Sequence, residues 1–281
     1  MSEVTNLKEI QLGPQEILKA GSELLEHFGV DIDPAAEPEK FIETVSQLDP
    51  RFQGGRDLIR WQLEADQTQW PEDTKQVIMR AAEAMRMLEY ETPLVGQYDV
   101  VVALGGARQA NLDRTRYAAE AASKGQVSFG QLIVSGSSRK LLEAEQENAA
   151  NYAPGATTEY DLCEGAAKVA SEEYPGLSIR AYPGGAEKAG TPIVLENTFR
   201  YLKAREELHE SSRVAAVTTQ IYQAATELDL ARIAKKFGIT ETYTAGNPSD
   251  SEIVKARTQT TYLSEIIRTL KAAALATQKE Q

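Results

Sequence analysis

Residues 98–108 read Tyr-Asp-Val-Val-Val-Ala-Leu-Gly-Gly-Ala-Arg. A β-branched, nearly unbroken apolar run that stops at paired glycines has the pattern of a strand covered on both faces and ending in a tight loop. Residues 131–135, 177–181, 213–218 and 240–244 read as further strands, the second and fourth of the five again almost wholly apolar. Helical periodicity separates or follows them over residues 112–124, 162–174, 193–209, 224–237 and 251–276. Such alternation specifies right-handed βαβ units. The expected fold class is therefore α/β, a Rossmann-like three-layer domain with a mostly parallel sheet of about five strands.

Upstream of Thr92-Pro93 the apolar period is three and four rather than two, so residues 1–95 read as an all-helical segment. Ile17, Leu18, Gly21, Leu24, Leu25 and Phe28 make one stripe, Phe41, Ile42, Val45 and Leu48 a second, and Val77, Ile78, Ala81, Met85 and Leu88 a third. This segment is either a cap or homo-oligomer surface, or a layer packed for stability. Residues 96–281 are assigned to the Rossmann-like domain, with 138–158 as a polar insertion that starts helical and loops through Pro154-Gly155.

Composition narrows the function. The chain is 42% apolar and 26% charged, within the globular range. Its net charge of −12 argues against nucleic-acid and anionic-membrane partners, which need a basic face to displace counterions, and leaves a small-molecule ligand. The single cysteine, Cys163, suits a reducing compartment and reads as a small core residue rather than a reactive thiol. The first residues carry no basic-then-apolar leader pattern, and the expected location is the cytoplasm. With His27 and His209 alone, neither near a strand end, a Ser-His-Asp triad is disfavoured and a histidine metal site is excluded. Magnesium held by carboxylates remains compatible with the sequence.

In a doubly wound sheet the ligand lies beyond the carboxyl ends of the strands. After the first strand, Gly105 and Gly106 let backbone approach a ligand or make a tight turn, and Arg108 or Arg114 supplies local positive charge. The loop lacks both the GxGxxG spacing and the P-loop spacing. After the second strand, Ser135 and Gly136 open a small polar loop without the spacing of a nucleophile elbow. Thr191-Pro192 makes a helix start, and Asn197 falls on the apolar line of Val194, Tyr201 and Leu208. A buried amide there needs partners, either nearby backbone or a ligand. Glu196 is the acid–base candidate, with an i, i+4 ion pair to Arg200 as the plainer account. Thr218 and Thr219 end the fourth strand, and Tyr222 follows as an aromatic that either lines the cleft or packs.

Taken in order, Val100-Val-Val-Ala-Leu-Gly-Gly106, Arg114 with Ala118, Ile133-Val-Ser-Gly136, Glu164, Glu196-Asn197, and Val217-Thr-Thr219 followed by a helix ending Lys236-Phe-Gly238 resemble the YdcF/SanA-like family of bacterial Rossmann-like domains. The resemblance covers residues 98–246, about half the chain. It implies the soluble YdcF-like type and a nucleotide-like ligand such as S-adenosylmethionine. Gly105, Gly106, Arg108, Arg114, Ser135, Gly136, Glu164, Thr218, Thr219 and Tyr222 would bind it, with Glu196 and Asn197 at the chemistry. The chain departs from the family at Val194, Tyr222 and Ala225, where a threonine, a histidine and an arginine are usual. Those departures point to a different ligand, or to a non-catalytic interaction module that uses its helical segment to bind a protein.

Overall fold

A computed structural model describes residues 12–51, 68–88, 92–106, 109–185, 193–248 and 257–278. Helices α1 (Pro14–Ala20), α2 (Ser22–His27), α3 (Pro38–Gln47) and α4 (Glu72–Ala84) come first. They are followed by β1 (Gly96–Leu104), α5 (Ala110–Ser123), β2 (Val127–Gly136), α6 (Glu143–Ala149), α7 (Glu159–Glu173) and β3 (Ile179–Pro183). Then come α8 (Ile193–Ala204), β4 (Arg213–Thr219), a single 3-10 turn (Gln220–Tyr222), α9 (Gln223–Lys236), β5 (Glu241–Asn247) and α10 (Gln259–Thr277).

The five strands form one sheet in the order β3-β2-β1-β4-β5, with every neighbouring pair parallel. This is the Rossmann-like α/β sheet expected from the sequence. Its strands are apolar throughout because both faces are covered. Val100, Val102, Ile133, Val214 and Ala216 pack with Leu195, Phe199 and Leu202 of α8 and with Leu230, Ile233 and Ala234 of α9. Val134, next to Ile133 but on the opposite face, packs with Leu112 of α5 and with Leu162, Cys163, Ala166 and Ala167 of α7. The insertion contributes to this second core through Leu141, Ala149, Tyr152, Ala153 and Ala156.

The chain divides into two compact units, and the division differs from a single cut near residue 95. The sheet unit comprises residues 91–219 and 230–247; the helical unit comprises residues 1–90, 220–229 and 248–281. In the helical unit Ile17, Leu24, Phe41, Val45 and Ile78 share a core with Leu263, Ile266, Ile267 and Leu270 of α10. Helix α10 is buried on nearly all sides from Thr260 to Ala274, which explains why its sequence shows no clean polar face. It follows the last strand in sequence, but its partners are α1, α3 and α4.

Three boundaries moved. The first predicted stripe is two helices, divided at Gly21. The helix predicted over 193–209 ends at Ala204, and Glu206 takes a left-handed φ of 58°. The last helix begins at Gln259, and residues 251–256 of its predicted span lie outside the described residues. Among the described residues no helix is long and apolar enough to cross a membrane.

Candidate functional site

In the sheet unit, α5 connects β1 to β2 on one face and α8 leads into β4 on the other. The crevice at the carboxyl ends of β1 and β4, where the winding reverses, is where such sheets bind ligands. Side-chain parity identifies what faces it. Val100, Val102, Val214 and Ala216 face α8 and α9, so Ala103, Gly105, Val217 and Thr219 face α5. Thr219 pairs in register with Asn247 of β5. Gly105, Thr219 and Asn247 therefore form one row across the ends of β1, β4 and β5.

Arg114, in the second turn of α5, lies over this row and is only 3% exposed. Its Nη1 donates to the carbonyls of Leu104 and Gly105, each at 2.6 Å. Its Nε and Nη2 donate to Thr219 Oγ1 at 3.1 and 2.9 Å. One guanidinium thus ties the end of β1 to the end of β4 and buries a positive charge at the switch point.

The end of β2 is packed against β1 without room to spare. A Cβ on Gly105 would sit 2.7 Å from the Ser135 carbonyl, 2.8 Å from Gly136 Cα and 2.6 Å from Glu159 Oε1. A Cβ on Gly136 would sit 2.6 Å from Cys163 Sγ. Close internal packing accounts for both glycines. Gly106 is likewise engaged: its N–H donates to Asn111 Oδ1 at 3.0 Å and its carbonyl accepts from Asn111 Nδ2 at 2.5 Å. Neither peptide group is left to cradle a phosphate.

Glu159 opens α7, whose start is fixed by a capping box in which Thr158 Oγ1 accepts from the Asp161 N–H. Its Oε2 accepts from Ser137 Oγ at 2.5 Å, and Arg139 Nε lies 3.9 Å away. Arg139 in turn makes a two-point pair, 2.9 Å on each side, with the fully buried Glu145. Cys163 shares this pocket of packing. Burial, and next the Glu159 charge, push its thiol well above the ordinary range, so it sits protonated and inert.

The remaining expected residues have structural partners. Ser135 Oγ and Thr198 Oγ1 are 2.6 Å apart, both buried. Asn197 Nδ2 donates to the Gly184 carbonyl at 2.7 Å, holding the loop after β3, which also pairs with the end of β2 through Gly184 N–H to Gly136 O. Glu196 accepts from Lys236 Nζ at 2.9 Å and Arg200 Nη2 at 2.6 Å, and these two cations hold its carboxyl below the usual range. The pair with Arg200 is the i, i+4 ion pair that the sequence spacing offers as the plainer account of Glu196. Glu164 is exposed and accepts from the Tyr160 hydroxyl one turn earlier. Thr218 is buried on the α8 and α9 side of β4. Tyr222 packs against the core of the helical unit. Arg108 and Thr191-Pro192 lie outside the described residues.

Sequence reasoning missed Glu159, Ser137, Asn111 and Asn247. The first was legible, because Thr158-Glu-Tyr-Asp161 is a capping box that puts Glu159 at a helix start facing the strand ends. The others have no local signal. Among the described residues no three His, Cys, Asp or Glu side chains are placed to hold a metal ion.

No family model matches this sequence, and no solved structure matches it. Three uncharacterised mycobacterial proteins are similar to part of it: one from Mycobacterium bovis and one from each of two strains of Mycobacterium tuberculosis. Each is 35% identical over 98 residues, which is 35% of this chain. The match spans 27% of the length of those relatives.

Proposed function

We propose that this protein binds a small anionic or nucleotide-like molecule at the carboxyl ends of β1, β4 and β5. The buried guanidinium of Arg114 at the switch point carries this reading. A cation removed from water acts over a longer distance than an exposed one, and here its field is directed at the place where this topology receives ligands. The acidic surface elsewhere disfavours a polyanionic partner and leaves this spot as a local exception. S-adenosylmethionine is the representative ligand, on the strength of the YdcF-like resemblance, and a cytoplasmic setting fits the single buried thiol. The role is binding first: Glu196 and Asn197, the residues expected at the chemistry, are engaged in ion pairing and loop support.

That engagement also favours a second reading, a non-catalytic module whose helical unit binds a protein. A thermal-shift screen of the full chain separates the two. The panel is S-adenosylmethionine, nucleotides, nucleotide sugars and sugar phosphates, each with and without magnesium. A ligand at a hundred times its dissociation constant stabilises by about 2.7 kcal/mol, well above the noise of the method. A shift that disappears in Arg114→Lys supports the strand-end site. No shift with any compound supports the interaction module.

A further inference from the structure

Among the described residues of the strand-end row, the side-chain oxygen of Asn247 is buried without a hydrogen-bond partner. Asn247, the last residue of β5, is 7% exposed, and its Oδ1 has no hydrogen-bond partner among the described residues. Native interiors rarely leave an amide oxygen in this state, and a specific exception calls for a reason. The atom sits one strand from Thr219 Oγ1, the oxygen that receives two donors from Arg114.

Location and charge restrict what satisfies it. Oδ1 is an acceptor, so its partner is an N–H or O–H donor. An ammonium group there would face the Arg114 guanidinium across about 5 Å, one strand spacing, and be repelled in a poorly solvated place. A neutral N–H meets no such opposition. The same amide carries donors on Nδ2, so Asn247 offers an acceptor and a donor side by side. That pair complements a neutral edge with an N–H beside a ring nitrogen, such as the amino edge of adenine.

Resting on the strand-end ligand site proposed above, we infer that Asn247 is its specificity residue and reads the amino edge of an adenine-type base. The edge that discriminates is the one formed by the 6-substituent and N7: there a 6-oxo base presents two acceptors, and one of them would face Oδ1 unpaired.

The test is calorimetric titration of the full chain with adenosine and with inosine, in wild type, Asn247→Leu and the near-isosteric Asn247→Asp. Wild type is expected to prefer adenosine by about tenfold or more, within the range of one two-point amide contact. Both variants should lose that preference. Asn247→Leu should melt no lower than wild type, since it removes an unpaired buried amide, whereas an amide serving only the fold would melt lower when removed. If Asn247→Leu fails to fold, Asn247→Asp carries the affinity test. Equal affinity for the two nucleosides, or a preference that survives both substitutions, overturns the inference. If some other ligand still gives an Arg114-dependent shift in that case, the strand-end reading stands without it. If no ligand of any kind binds, both fall.

Discussion

The two halves of the sheet's carboxyl edge are built differently. At the β1–β2 end the polar groups named above have internal partners: Asn111 takes the N–H and the carbonyl of Gly106, Ser137 and Arg139 serve Glu159, and glycines 105 and 136 leave room only for one another's neighbours. At the β4–β5 end, one strand beyond Arg114, Asn247 keeps an acceptor unpaired. Gly105 and Gly106, which look like a ligand cradle or a tight turn in the sequence, belong to the closed half. A paired-glycine loop after the first strand is thus consistent with solid packing as well as with phosphate binding, and only the fate of its N–H groups separates the two.

The sharpest way to break this contrast is to overfill the closed half. Gly105→Ala places a methyl against two backbone atoms that cannot swing away, and should cost about 3 kcal/mol or more in chemical denaturation. A cost near zero would mean that the β1–β2 end has slack and is not closed. Arg114→Met tests the link between the halves. It removes charged hydrogen bonds to Leu104, Gly105 and Thr219 and should destabilise by roughly 2 kcal/mol, with loss of any ligand-induced shift. Loss of stability with the shift intact would confine Arg114 to a packing role.

The smallest effect is expected at Glu196, which belongs to neither half. Its carboxyl is depressed, so its ion pairs contribute stability above the unfolded carboxylate value near 4.3, and that contribution is lost as pH falls through the lower folded value. Glu196→Gln should therefore be less stable than wild type at pH 7 by about 0.5 kcal/mol or less, these being largely exposed pairs. The two melting curves should converge below about pH 4. Ligand affinity should not change. A tenfold loss of affinity would return Glu196 to the site.

Much of the fold was legible because parallel strands covered on both faces have an unmistakable composition. Val100-Val-Val-Ala-Leu104 and Arg213-Val-Ala-Ala-Val217 admit few other readings. The grouping of α10 with the amino-terminal helices was not legible, since an apolar helix declares that it is buried but not against what. The site divides along the same line. Arg114 and Thr219 were singled out because topology marks strand ends in advance, whereas for Asn197 and Glu196 the sequence left internal partners and a ligand both open, and the structure gives Asn197 a backbone carbonyl and Glu196 two ion pairs. Asn247 was invisible: nothing in Ala245-Gly-Asn247 distinguishes it from an ordinary turn residue until its register with Thr219 is known.

The central claim, a ligand seated at the β1, β4 and β5 ends, is tested most directly by hydrogen exchange of the full chain with and without the strongest ligand from the thermal screen. The account predicts added protection over residues 217–219 and 245–247, with the already bonded amides of Gly105 and Gly106 unchanged. Protection confined to the helical unit, with the strand ends exchanging as before, would contradict it.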